Sequence, residues 1–302
     1  MTSAIVTTSY APDLARFTRL HASVVQHSDL THYVFVPAAD RELFAPLTAS
    51  GRLVLTTTRE VLPGNFVTTE WINRAVARIP HAPGALRWAA INTRRPFPPV
   101  RGWILQQLVK FAAADHVDAD TLVYLDSEIQ LVRPVDDTTF RRDGVSRLFR
   151  RPEGVSATMV RHQAWHTTAR DLIGAAPDGH GAHDDFIGGI TTWDAAMARD
   201  CLARIEGLAG RPWQSALGAE LDFSEYILYG EYATEFGTDD QLSFVSDRTL
   251  CHSYWEHAPL DRSTAERFIE TMRADDVAVH IQSNSNTSPE IEKFILDAVR
   301  AD

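Results

Sequence analysis

The sequence predicts an α/β fold: a single domain over residues 1–302, built on a mostly parallel central sheet flanked by helices. Three observations lead there. Short β-rich runs alternate with helical patterns through the first half, the signature of parallel strands joined by helices. The run TLVYL at 121–125 is apolar without interruption, as a strand buried on both faces requires. The chain of 302 residues, 44% hydrophobic and 23% charged, carries enough apolar material for one large core.

The elements follow in order. Residues 4–8 (AIVTT) form a first strand. Pro12 stands where a first helical turn tolerates it, and Leu14, Phe17, Leu20, Val24 and Val25 follow at helical spacing. Residues 32–36 (HYVFV) and 52–57 (RLVLTT) are the second and third strands. Segment 63–100, broken by Pro63, Gly64, Pro80, Pro83, Gly84, Pro96, Pro98 and Pro99, reads as an irregular excursion with a helix around Glu70–Arg78. From Gly102 to Ala114 a helix presents Ile104, Leu105, Leu108, Val109, Phe111 and Ala112 as a broad apolar face, and the 121–125 strand follows.

In the second half a helix covers His162–Ile173, and the loop GHGAHDD spans 179–185. Residues 186–193 (FIGGITTW) read as a strand. A helix starting near Asp194 places Met197, Cys201, Ile205 and Leu208 on one side, and a short helix lies at Asp222–Tyr229. Residues 277–281 (VAVHI) make the last strand, and QSNSNTS separates it from a C-terminal helix at Pro289–Val299.

Charge and cysteine count narrow the function. Lys plus Arg is 29 against 40 for Asp plus Glu, a formal net charge of −11, which argues against a nucleic-acid or anionic-membrane binder. Two cysteines, Cys201 and Cys251, build neither a disulfide framework nor a Cys-rich zinc site, so a reducing cytoplasm is expected. The N-terminus MTSAIVTTSY lacks a basic region followed by an apolar one, and no apolar run approaches the roughly 20 residues that span a bilayer.

The chemistry concentrates in YLDSEIQLVRP at 124–134, where a buried strand ends abruptly in Asp126-Ser127-Glu128. Ligands of open α/β sheets gather just beyond the carboxyl ends of the strands. Two carboxylates there suit a hard divalent ion, Mg²⁺ or Mn²⁺, which bridges protein carboxylates to a substrate diphosphate that they would otherwise repel. The bland alternative is a solvated turn.

A strand, then D-x-D or D-x-E, then a short apolar run ending in Pro resembles the metal motif of GT-A-type glycosyltransferases, nucleotide-sugar-dependent enzymes with one Rossmann-like domain. The preceding helix, RGWILQQLVKFAAAD at 101–115, resembles the W-x-x-Q-Q-x-x-K helix of bacterial glycosyltransferase-like proteins. Glu128 departs from the commoner Asp. The resemblance implies that His280 completes the metal site with Asp126 and Glu128, and that Gln282, Ser283 and Asn284 meet the diphosphate. An imidazole ligand leans the set toward Mn²⁺ over Mg²⁺. It also implies that residues 1–135 form the nucleotide-binding half and 136–302 the half that holds sugar and acceptor.

Thr7, Thr8, Ser9 and Asp40 follow the first two strands, where GT-A-type enzymes hold the nucleoside, although the same residues make ordinary caps and turns. Ser127 joins the diphosphate set. Lys110 is either a surface cation or a phosphate ligand. Arg101, Gln107 and Asp184 are candidates for sugar hydroxyls. Glu225 is the first candidate for a catalytic carboxylate and Asp185 the second, though Asp222-x-x-Glu225 also has capping-box spacing. His183 is read as a loop residue. Trp103, Trp193 and Trp255 are either core or stacking platforms for a sugar.

The expected activity is transfer of sugar from a nucleotide-diphosphate sugar with Mn²⁺ or Mg²⁺ as cofactor. The alternatives are pyranose–furanose isomerisation of the same donor and binding without turnover. The first strand is not followed by G-x-G-x-x-G, and the phosphate-binding P-loop pattern is missing too, so a dinucleotide-dependent oxidoreductase is disfavoured.

Overall fold

The computed structural model describes residues 2–69, 89–177 and 181–301. The expected helix around Glu70–Arg78 lies outside them. Along the chain, β1 (Ser3–Thr8) leads through α1 (Leu14–His27) to β2 (Thr31–Val36), and α2 (Arg41–Phe44) leads to β3 (Leu53–Thr57). After α3 (Thr58–Val61) come β4 (Phe66–Thr68), β5 (Ala90–Asn92) and β6 (Arg95–Val100), then α4 (Gly102–His116), β7 (Thr121–Leu125) and β8 (Ile129–Leu131).

The middle of the chain is made of short pieces: α5 (Asp137–Phe140), β9 (Arg141–Arg142), β10 (Val145–Ser146), β11 (Leu148–Phe149) and β12 (Arg151–Val155). Then follow α6 (Val160–Ile173), β13 (His183–Asp185), β14 (Ile190–Asp194), α7 (Ala195–Ala209), α8 (Trp213–Leu217) and α9 (Glu225–Phe236). The last elements are β15 (Val245–Ser246), β16 (Cys251–Tyr254), α10 (Arg262–Glu270), β17 (Ala278–Ile281) and α11 (Pro289–Ala301).

The central sheet has the order β14-β7-β1-β2-β3. β7, β1, β2 and β3 are mutually parallel, and β14 runs antiparallel on β7. The α/β architecture and the mostly parallel sheet are therefore as the sequence predicts. Strand alternation sorts the side chains into two layers. Ala4, Val6, Leu122 and Tyr124 pack under α4, α7 and α9, while Ile5, Val34, Val123 and Leu125 pack under α1. On α1, Phe17, Leu20 and Val24 are buried as the spacing predicts, but Val25 faces solvent. A third cluster joins β17 to α10 and α11 through Val279, Ile281, Phe268, Ile295 and Val299.

A second sheet, ordered β16-β17-β8, decides the geometry of the chemical edge. β8 follows β7 after a tight turn closed by the Ile129 amide on the Asp126 carbonyl at 3.0 Å. β17 pairs antiparallel with β8 and sets His280 opposite Ile129. Residues 151 positions apart in sequence are thereby neighbours, and His280 sits beside Glu128.

Several expected boundaries are corrected. The stretch after residue 88 is not irregular: β5 pairs with β4 and β6 in a three-stranded antiparallel sheet. Its prolines fall on β6, an edge strand, where a missing N–H costs no ladder bond. The strand expected at 186–193 is confined to Ile190–Asp194. Before it, Gly189 passes so close to β16 that a Cβ would lie 2.6 Å from the Cys251 sulfur. Part of the expected 179–185 loop is strand β13, which carries His183. Leu208, expected on the apolar side of α7, is exposed. Among the described residues, no helix is long and apolar enough to cross a membrane.

Candidate functional site

A cavity of about 660 Å³ opens at the carboxyl ends of β1 and β2. Its walls are Thr8, Ser9, Tyr10 and Asp40 from the strand ends, Phe35 from β2, and Trp103, Gln106 and Val109 from α4. Strand ends expose backbone and short polar side chains there, and the start of α4 closes the far wall. Asp40 is held in place by the Ala11 amide at 2.8 Å. Thr8, Ser9 and Asp40, expected at a nucleoside, therefore line this cavity.

Thr7 does not. Its hydroxyl points into the sheet, donating to the Leu125 carbonyl at 2.7 Å, and meets His32 Nε2 at 2.9 Å. Strand alternation turns Thr7 away from the cavity that its neighbours line. Gln107 is likewise corrected: it is fully buried, while Gln106, one residue earlier on the helix, faces the cavity. Among the described residues, neither polar atom of the Gln107 side chain has a hydrogen-bond partner.

The Ser127 hydroxyl ties the acidic turn to the cavity wall, donating to Ser9 Oγ at 3.0 Å. In that turn Glu128 Oε2 accepts from the Ser283 amide at 2.9 Å and lies 3.5 Å from His280 Nε2. Burial pushes the Glu128 carboxyl up, but the hydrogen bonds from His280 and Ser283 outweigh it and leave the group below its ordinary range. The 3.5 Å separation is near the roughly 3.0–3.4 Å between two ligands of one ion with bonds of about 2.1 Å. Asp13 and Tyr10, which the sequence reading did not single out, adjoin the pair. Burial and the charges of Glu128 and Asp126, only partly offset by Arg16, raise the Asp13 pKa. Of the three expected metal ligands, Glu128 and His280 meet, but Asp126 does not converge with them to within 4.8 Å and its Oδ1 is paired with the Lys110 ammonium instead. Gln282 is turned to the Trp255 carbonyl, and the half-exposed Trp255 ring lies 4.3 Å from the His280 ring.

Asp126 is the other end of the turn, and it leads to Lys110. The Lys110 ammonium is not a surface cation: it is buried, 3.2 Å from Asp126 Oδ1, 2.9 Å from Glu225 Oε1 and 2.8 Å from the Tyr226 hydroxyl. Burial alone would lower its pKa, but Asp126 and Glu225 outweigh that and hold it well above the usual lysine range. The capping-box reading of Glu225 is overturned as well. α9 begins at Glu225, and its N-cap is Ser224, whose hydroxyl accepts from the Ile227 amide. Asp222 instead accepts from Trp165 Nε1 at 2.8 Å and pairs with Arg161.

The second candidate carboxylate is committed elsewhere. Asp185 accepts from Arg151 at 2.8 Å on one oxygen and from the Ile187 amide at 3.0 Å on the other, and Asp184 is bound by Arg150. Arg101 is exposed at the start of α4 and reaches the Leu221 carbonyl at 3.5 Å. Asn284 is exposed in the turn after β17. Trp193 is fully buried and stacks on Tyr229 at 4.8 Å, so it is core, while Trp103 lines the cavity.

Another cluster of ligand-type groups escaped the sequence reading. His166, His183 and Glu231 bring their donor atoms within 4.8 Å of one another. The two imidazoles are stacked, 4.5 Å apart and 11° from parallel, so their in-plane lone pairs cannot meet on one ion without reorientation. Glu231 is bonded at 2.6 Å by both His166 Nδ1 and Arg170. The cluster fastens α6 to α9, the helix that carries Glu225 and Tyr226. Gly230 on the same helix admits the Phe186 ring, whose atoms would lie 2.1–2.5 Å from an added Cβ.

Tyr10, Asp13, Gln106 and Tyr226 are the residues at the cavity or beside the acidic turn and its Lys110 partner that sequence reading missed. Trp103, Gln106 and Lys110 do share one face of α4 by their spacing of three and four, a signal legible beforehand. Nothing local marks Tyr226.

None of the curated proteins matches the sequence. Among solved structures, it is similar to the bifunctional glycosyltransferase WbbM, with 11% identity and a TM-score of 0.46 over 92% of this chain and 45% of that one. The chain thus spans less than half the length of that protein. It is similar to mouse xyloside xylosyltransferase 1 at 10% identity, with a TM-score of 0.45 over 95% of this chain and 99% of that one. It is also similar to the galactosyltransferase LgtC in complex with donor and acceptor sugar analogues, at 9% identity and a TM-score of 0.43, over 99% and 95% of the two chains. The profile of DUF6492, described as a family of unknown function, matches residues 2–298. With nearly its whole length matched, the chain belongs to the DUF6492 family.

Proposed function

We propose that this chain is a GT-A-type glycosyltransferase that takes a nucleotide-diphosphate sugar as donor, uses Mn²⁺ or Mg²⁺, and passes the sugar to an acceptor hydroxyl. One observation carries the reading. The large cavity at the ends of β1 and β2 adjoins the Asp126–Glu128 turn, and the Ser9–Ser127 hydrogen bond joins the two. A nucleoside in the cavity would direct its diphosphate toward the carboxylates, an arrangement that needs a cation between like charges.

Asp126, Glu128 and His280 would hold that ion, which when bound neutralises charge growing on the diphosphate leaving group. The chain's own residues do the rest. Thr8, Ser9 and Asp40 hold the nucleoside, and the turn at Gln282, Ser283 and Asn284 borders the diphosphate. Glu225 has one oxygen anchored by Lys110, and its Oε2 has no hydrogen-bond partner among the described residues. That oxygen takes the acceptor proton as the new C–O bond forms and the bond to the diphosphate breaks. Asp185, with both oxygens engaged, is the weaker candidate for this role.

The test is a thermal-shift panel of sugar nucleotides with Mn²⁺, without it, and with chelator. Stabilisation that requires both sugar nucleotide and ion supports the reading, and Glu128→Gln removes it. A sugar nucleotide rearranged by protein and Mn²⁺ with no acceptor present overturns transfer in favour of isomerisation. Stabilisation by no sugar nucleotide overturns both.

A further inference from the structure

We infer that the Tyr226 hydroxyl is a substrate-binding donor to an oxygen of the transferred sugar, and that Lys110 is the residue that positions it. This rests on the reading of the site as a nucleotide-sugar pocket. Three observations carry it.

The Lys110 ammonium is engaged by its surroundings. It donates to Glu225 Oε1 at 2.9 Å and to Tyr226 Oη at 2.8 Å, and its charge pairs with Asp126 Oδ1 at 3.2 Å. Its contact with Tyr226 fixes the direction of that hydroxyl, because Tyr226 must accept from Lys110 and can therefore only donate elsewhere.

Among the described residues the Tyr226 hydroxyl donates no hydrogen bond. An O–H buried without an acceptor is costly, so a ligand oxygen or an ordered water belongs there. The tyrosine is otherwise well held. Its ring packs edge-on against Tyr124 and Trp193, with centroids 6.4 and 6.1 Å away, and Lys110 lies 4.5 Å over its face.

Place identifies the ligand part. Lys110 is one turn beyond Gln106 on α4, so Tyr226 Oη lies past the cavity that would hold the nucleoside. It shares the Lys110 cation with Asp126, at the strand end where the diphosphate would pass. The group attached beyond that diphosphate is the sugar. A neutral hydroxyl, which donates at neutral pH without adding charge, suits a sugar hydroxyl or ring oxygen.

Wild type and Tyr226→Phe are titrated calorimetrically, in Mn²⁺, with UDP, UDP-glucose, UDP-galactose, GDP and GDP-mannose. Tyr226→Phe is expected to weaken the sugar nucleotide that binds by about five- to tenfold, the loss of one hydrogen bond, and to leave the matching nucleoside diphosphate unchanged. Equal weakening of both ligands, or of neither, overturns the inference while leaving the site reading intact. Binding of none of these probes by the wild type removes the site reading and this inference with it. If Tyr226→Phe does not fold, deoxy analogues of the bound sugar titrated into the wild type read the same contact. One of them should lose about five- to tenfold, and a uniform series overturns the inference.

Discussion

Lys110→Met tests the electrostatic centre of the molecule. The substitution keeps most of the aliphatic stem and removes the charge. The Lys110 and Glu225 side chains are only 8% and 6% exposed, so their pair is not screened by solvent. Removing one partner of such a pair strands the other, at a cost of about 3–5 kcal/mol. Asp126, with its side chain 53% exposed, can be resolvated and adds little. The hydrogen bond to Tyr226 goes as well, but Met supplies apolar contact in return. A loss of about 3 kcal/mol is expected, a fall of roughly 6–12 °C in Tm on the scaling for domains somewhat smaller than this one. Urea unfolding followed by circular dichroism measures it. The double variant Lys110→Met/Glu225→Gln should recover about 2 kcal/mol relative to the sum of the single changes, because the stranded charge is then absent. A single variant within about 1 kcal/mol of wild type, or strictly additive changes, would refute the argument that the pair is buried and coupled.

Three further outcomes are expected. Burial and the neighbouring His21 push the His32 pKa well below 6.5, and burial and Arg52 lower that of His21. The unfolded chain then binds more protons than the folded one at acid pH, so stability present above about pH 6.5 is lost as pH falls, by up to about 1.4 kcal/mol per pH unit per histidine. Urea midpoints at about pH 5 and about pH 7.5 should show the loss, and His32→Asn should flatten it. Gly230→Ala should destabilise by at least 2 kcal/mol or so, because its methyl would meet the Phe186 ring at 2.1–2.5 Å; Gly230→Ala/Phe186→Leu should recover part of that in thermal melts. Gln107→Leu should be neutral or stabilising by about 1 kcal/mol, since it replaces two buried polar atoms that lack partners among the described residues; a clear fall in Tm would show that Gln107 is engaged after all.

Legibility differed between parts of the chain for definite reasons. β1, β2, β3, β7, α1 and α4 could be read because each repeats its own period over five residues or more. β8 and β11 could not, being two or three residues long and held by partners far away in sequence, and β9 and β10 pair with each other in a hairpin of two residues a side, too short to show a period. Asp126 and Glu128 were legible because a buried strand ends on them. Lys110 was noticed but misplaced: a lysine on a mostly apolar helix says that the charge needs a partner and does not say which.

What the sequence determined by itself was the layered α/β plan and the acidic strand end, since both rest on periodicity and on contrasts between neighbouring residues. Tertiary structure alone decided that His280 meets Glu128, that Lys110 meets Glu225 and Tyr226, and that Thr7 and Gln107 turn inward. Those contacts join residues 25 to 155 positions apart, or depend on which side of an element faces the core, and no local pattern encodes a distance that only the packing of sheets and helices sets.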